Sequence, residues 1–113
     1  ISAAVFPTPT MSRRMVRQAW ETWPLDAAMP MAYHNNYEQP LSWIEEVTRV
    51  SQTEVAGRFP EHTGLLMSSI AAGDALAAIN FARRGGAQGV TLFNANEGDL
   101  ELLAKQRDKR AGV

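Results

Sequence analysis

Four times along the chain, a short apolar run of strand-like residues gives way to a longer stretch with helical periodicity. Alternation of this kind reads as successive βαβ units, and because each crossover carries the chain back to the same edge, the strands run parallel. The first unit has a strand over Ile1 to Phe6, a Pro7-Thr8-Pro9 loop and a helix from about Ser12 to Trp23. The stripe Met15, Val16, Ala19, Trp20 and Trp23 predicts its buried side, with Arg13, Arg14, Arg17 and Glu21 opposite. The second unit has a strand over Ala27 to Tyr33, a polar loop from His34 to Pro40 and a helix opened by Ser42. There Ser42 and Glu45 have the spacing of a capping box, Trp43, Ile44, Val47, Val50 and Val55 form the apolar side, and Gly57 and Pro60 end the helix. The third strand is Thr63 to Ser68, followed by a helix from about Asp74 to Arg84 with Leu76, Ile79 and Ala82 inward, stopped by Gly85 and Gly86. The fourth strand is Gly89 to Asn94. Its helix starts near Asn96, with acids Glu97, Asp99 and Glu101 first and Lys105, Arg107, Lys109 and Arg110 last, as the helix dipole favours.

With 113 residues for four units, the repeat is about 28 residues, close to the roughly 31 per unit of an eight-fold barrel. The predicted fold class is therefore α/β: four consecutive βα units, half of a (β/α)8 TIM barrel, forming one domain over residues 1–113. An open doubly wound sheet is the rival, and it needs helices on both faces, which nothing in the sequence marks. Since Ile1 lies inside the first strand, the expectation is a fragment of a longer barrel.

The segment Leu25-Asp26-Ala27-Ala28-Met29-Pro30-Met31-Ala32-Tyr33-His34-Asn35, then Ser42-Trp43-Ile44, then Gly85-Gly86-Ala87-Gln88-Gly89-Val90-Thr91-Leu92-Phe93, resembles the C-terminal half of a bacterial family. That family is the glycoside hydrolase-like TIM barrels, the hypothetical glycosyl hydrolases, and the likeness runs through nearly the whole chain. The resemblance implies a (β/α)8 fold, hydrolysis of a sugar polymer by the complete barrel, and export of the full-length protein as one open location. Strands one to four of the family pattern, where barrel glycosidases often keep catalytic acids, have no counterpart here.

Barrel enzymes place their chemistry at the C-terminal ends of the strands and in the loops that follow. Those positions are Pro7 to Thr10, Tyr33 to Glu38, Ser68 to Ile70 and Asn94 to Glu97. The richest is Tyr33-His34-Asn35-Asn36-Tyr37-Glu38. Rings pack on sugar faces while amides and imidazole pair with hydroxyls, so the candidate carbohydrate-binding residues are Tyr33, His34, Asn35 and Tyr37, with Thr8, Ser68 and Asn94 from the other loops. The plainer reading is a hydrogen-bonded loop whose Asn pair makes turns. Glycoside hydrolysis needs two carboxylates flanking the scissile bond, and none of the four strands ends in one. Glu38 is the one candidate acid, against a solvated loop residue; Glu97 and Asp99 suit a helix N-terminus, and Asp26 precedes its strand. The chain alone is therefore expected to show no appreciable glycosidase activity.

Other chemistries find less. The only lysines, Lys105 and Lys109, fall in the last helix, so no Schiff-base lysine is available here. His34 and Glu38 are too few for a metal, His62 precedes its strand, and no cofactor is expected. The loops Ser68 to Gly73 and Asn94 to Asp99 stand where phosphate-binding barrels hold phosphate, which keeps an isomerase or lyase as an alternative. A non-catalytic carbohydrate-binding or assembly fragment is another. Trp20, Trp23 and Trp43 all fall on apolar helix stripes and read as core. With 11 basic and 12 acidic residues scattered along the chain, nucleic acid is not an expected partner, and no apolar run approaches the length of a membrane span. With 0 Cys, thiolate chemistry and disulfides are excluded.

Two structural expectations complete the reading. Asn35 and Tyr37 line a concave polar pocket with Tyr33 or His34, at the same end of the sheet as Thr8, Ser68 and Asn94. Half a barrel also leaves one sheet face bare, carrying residues such as Val5, Met31, Leu66 and Leu92 or their neighbours. The partner expected to cover it is a second copy, as a homodimer, or a missing N-terminal half-barrel.

Overall fold

The computed structural model describes residues 1–95, 101 and 103–105. Its order is β1 (Ser2–Val5), α1 (Pro9–Val16), β2 (Ala27–Pro30), α2 (Trp43–Val55), β3 (His62–Leu66), α3 (Ala75–Arg84) and β4 (Gly89–Phe93), with short 3-10 turns between. It is a mixed α/β fold built on short parallel strands. The predicted fourth helix lies largely outside the described residues; residues 101 and 103–105 have helical backbone.

β1 pairs in parallel with β2 from Ser2↔Ala27 to Val5↔Pro30, and β3 with β4 from His62↔Gly89 to Leu66↔Phe93. Two isolated parallel bridges, Ala28↔Glu61 and Met31↔Gly64, join the pairs. The seam between them has a specific cause. The amides of Ala28 and Ala32 donate to the carbonyls of Pro60 and Gly64, both at 3.0 Å. The residue midway between those donors is Pro30, which has no N–H to give. A proline thus removes the central rung and leaves one bridge at each end.

Helices α1 and α2, and α2 and α3, pack against one another, so consecutive crossovers lie side by side. One apolar cluster joins Val5, Trp20, Ala28, Val55 and Phe59. The other joins Ile44, Leu65, Ala78 and Ala82, with Val90 and Leu92 packed against it. Because successive strand residues point to opposite faces, Ala4, Met29, Met31, Gly64, Leu66, Thr91 and Phe93 belong to the other face. Val5 and Leu92 are therefore corrected to the helix-covered face. Met31 and Leu66, half-buried, belong to the other.

The first helix departs most from its predicted form. Thr8 has the extended backbone of an N-cap, its Oγ1 accepts the Met11 N–H at 3.2 Å, and Pro9 fits the first turn, so α1 begins before Ser12. It ends at Arg17, which is left-handed at φ 57°. The Arg17 N–H donates to the Arg13 carbonyl at 3.0 Å, the bond of an αL C-cap, and the Gln18 N–H reaches further back to the Ser12 carbonyl at 3.3 Å. This break lets Trp20 turn inward to complete burial, and it leaves Met15 at 59% and Val16 at 43% exposure. Burying an indole of roughly 150–250 Å² outweighs covering two thinner side chains. At α2, Ser42 is already in helical conformation and makes no side-chain cap, because Trp43 and Ile44 donate to Pro40 and Leu41 and start the turn earlier. The capping box does not form, and Val50, 44% exposed, faces outward.

Candidate functional site

Since every strand pair is parallel, the segments following β1, β2, β3 and β4 emerge at one edge of the sheet. Thr8, Tyr33 to Glu38, Ser68 and Asn94 all belong to that edge. After β2 the chain folds into one 3-10 turn, His34–Tyr37, so the five residues from Tyr33 to Tyr37 are gathered by local geometry.

The rings of that turn are anchored at both ends. Tyr33 meets Phe93 edge-on, with centroids 5.6 Å apart at 69°, and Tyr37 lies tilted on Trp43 at 5.4 Å. Phe93 ends β4, two strands away from β2, and the strand between them carries Gly64. A Cβ at Gly64 would stand 3.0 Å from Phe93 Cε2 and 3.1 Å from the Pro30 carbonyl oxygen. Glycine there leaves room for the Phe93 ring over the sheet. Trp43 is half-buried beside Tyr37, while Trp20 is core and Trp23 half-buried against it.

Burial pushes the hydroxyls of Tyr33 and Tyr37 above the usual phenol range and pulls the His34 imidazole below its ordinary value. All three side chains are thus neutral near pH 7 and can each donate or accept a hydrogen bond. Asn35 and Asn36 are exposed, which leaves their amides to solvent or a ligand.

The remaining candidates are placed less favourably. Thr8 is 6% exposed and its hydroxyl caps α1. It borders a surface depression with Thr10, Met11, Arg14 and Met15, which the Tyr33 to Tyr37 turn does not line. Ser68 is exposed in the Met67–Ser69 turn, and Asn94 is exposed and left-handed at φ 57°. Glu38 caps the 3-10 turn at φ 55°, is exposed, and enters no ion pair among the described residues. For phosphate, the start of α3 already carries the carboxylate of Asp74, and the helix after Asn94 lies outside the described residues.

Among the described residues, no three His, Asp or Glu side chains cluster closely enough to hold a metal ion. No described helix is long and apolar enough to cross a membrane. Sequence reasoning missed Phe93 and Trp43 as supports of the turn; Gly64, a glycine inside a strand, is the one signal of a ring crossing there. Comparison with protein-family models, with curated proteins and with solved structures finds no match to this chain.

Proposed function

We propose that the chain is a (βα)4 half-barrel of the glycoside hydrolase-like kind, binding carbohydrate at the C-terminal edge of its strands and inactive as a hydrolase by itself. The observation that carries this reading is one turn presenting half-buried rings of Tyr33 and Tyr37 beside the exposed amides of Asn35 and Asn36. The apolar face of a pyranose packs on a ring while its rim of hydroxyls needs amide partners, so alternation of the two on a single surface suits a sugar. Phe93 and Trp43 hold the rings in place, which lowers the ordering cost of binding.

The half-barrel is supported by uniformly parallel pairing, by neighbour relations β1-β2, β2-β3 and β3-β4, and by helices packed in sequence order. An open doubly wound sheet would place some of these helices on opposite faces. Inactivity follows from the carboxylates: Glu38 is the only acid in the turn, and hydrolysis requires a second about 5 to 9.5 Å away.

The same reading implies a partner. Half-buried Met29, Met31, Leu66 and Phe93 give the face opposite the described helices an apolar character, and β1 and β4 each have one free edge among the described residues. A second copy related by a two-fold axis along the strands would join β4 to β1 and close eight strands.

Calorimetric titration of the full chain with a panel of oligosaccharides, run beside a product assay, tests the function. Binding without turnover, weakened in Tyr37→Ala, is the expected result. A folded protein that binds none of the panel overturns it, and turnover abolished by Glu38→Gln overturns the inactivity.

A further inference from the structure

The opposite, N-terminal edge of the sheet holds a carboxylate that the proposed function does not use. Glu61 stands immediately before β3 with 0% exposure, and among the described residues no cation pairs with it. Its partners are neutral and come from two other segments. From α2, the Ser51 hydroxyl donates to Oε1 and the Gln52 amide to Oε2. From the approach to β4, Gln88 Oε1 accepts the Glu61 N–H at 2.9 Å, and the Gln88 N–H donates to the Glu61 carbonyl at 3.0 Å. Gln52 also reaches Gln88 Oε1 at 3.3 Å, which closes the network. Glu61 is in addition one half of the Ala28↔Glu61 bridge, one of the two points at which β2 and β3 meet across the gap left by Pro30.

We propose that Glu61 is a proton-controlled latch at the seam between the two strand pairs, tying α2 and the start of β4 to β3 when protonated and loosening them when ionised. Protonated, Oε1 can donate to the Ser51 hydroxyl oxygen while Oε2 still accepts from the Gln52 amide, so both contacts persist without a buried charge; ionised, both oxygens accept but the charge has no counter-ion among the described residues.

Burial, the largest effect, pushes the Glu61 carboxyl up to about 7; the bonds from Ser51 and Gln52 act in the opposite sense, and repulsion by Glu54 adds to the rise. Glu54 is itself held by the Thr10 N–H and hydroxyl, at 2.8 and 2.7 Å. His62 follows Glu61 in the chain, and its ring lies against Gly89 on the other face of the sheet. Ala27, Ala28 and Met29 of β2, and Gln88 and Gly89 before and in β4, bring no titratable group.

The direction follows from linkage. The folded chain holds this proton more tightly than the unfolded chain, whose ordinary value is 4.5, so the contribution to stability is complete below about 4.5 and is lost as pH rises through about 7. Between those limits the folding equilibrium changes by roughly two orders of magnitude from this group.

Two measurements on the full chain test the latch. Carbon NMR of the Glu61 carboxyl is expected to titrate near pH 7; a midpoint in the ordinary glutamate range overturns the proposal without any variant. Hydrogen exchange, corrected for intrinsic rate, is expected to lose protection at the Ala28 and Gln88 amides first as pH rises from 5.5 to 8.5. Glu61→Gln, which mimics the neutral acid, should abolish that loss. Loss spread evenly through the chain, or unchanged in Glu61→Gln, overturns the local role.

Discussion

At the scale of single residues, Tyr37 and His34 make separable contributions to the proposed carbohydrate surface. Tyr37→Ala removes a ring resting on Trp43 and is expected to weaken oligosaccharide binding about ten-fold, or ~1.4 kcal/mol, measured by calorimetry. His34 is held neutral by burial, below its ordinary value of 6.5. Its contribution to stability is present above about 6.5 and lost as pH falls through the lower folded value, the reverse of Glu61. The unfolding midpoint of wild type relative to that of His34→Gln should therefore fall as pH drops from 7 to 5. The rings and amides of Tyr33 to Tyr37 were legible because they are contiguous in the chain. The contact with Phe93 was not, since it depends on Gly64 in the adjacent strand β3 and on a ring from β4 beyond it. Glu61 was equally invisible: its character comes from Ser51 and Gln88, which only folding brings to it.

At the scale of elements, the close approach of α2 and α3 makes a sharp test. A Cβ on Gly85 would stand 2.6 Å from the Glu45 carbonyl oxygen and 2.6 Å from Thr48 Cβ, and the carbonyl belongs to helix backbone. Gly85→Ala is expected to cost about 1–3 kcal/mol in urea unfolding through displacement of one helix from the other. The opposite sign is expected at the end of α1. Arg17 adopts φ 57°, so Arg17→Gly should raise stability by about 1 kcal/mol in the same experiment. β1, β3, β4 and α3 were legible within a residue or two because each is bounded by glycine, proline or polar loops, whereas β2 ends at Pro30, three residues before the expected Tyr33. α1 was misread for a reason of energy: periodicity continues through Trp20, but tertiary burial of that indole requires a break before it. The Ser42-Glu45 spacing misled because Glu45 serves Arg49 instead, at 2.7 Å, and Ser42 lies inside the helical turn.

At the scale of the whole molecule, a parallel sheet with helices of the described residues on one face carries a definite expectation about association. With a face around Met29, Met31, Leu66 and Phe93 and two free edges, light scattering at micromolar concentration should give the mass of a dimer. A folded monomer at that concentration would contradict the expected association. Parallel direction was legible from the alternation of strands and helices. The division into two strand pairs was not, because it turns on which neighbour the missing Pro30 N–H would have served. The proposed carbohydrate surface fixes where a bound sugar must sit. Amide NMR of the full chain titrated with a binding oligosaccharide measures this directly. The expected perturbations lie at residues 33–38 and at Phe93 and Asn94, with Glu61 and Gln88 unmoved at the opposite edge. Perturbation centred on that opposite edge, or on the depression beside α1, would contradict the account.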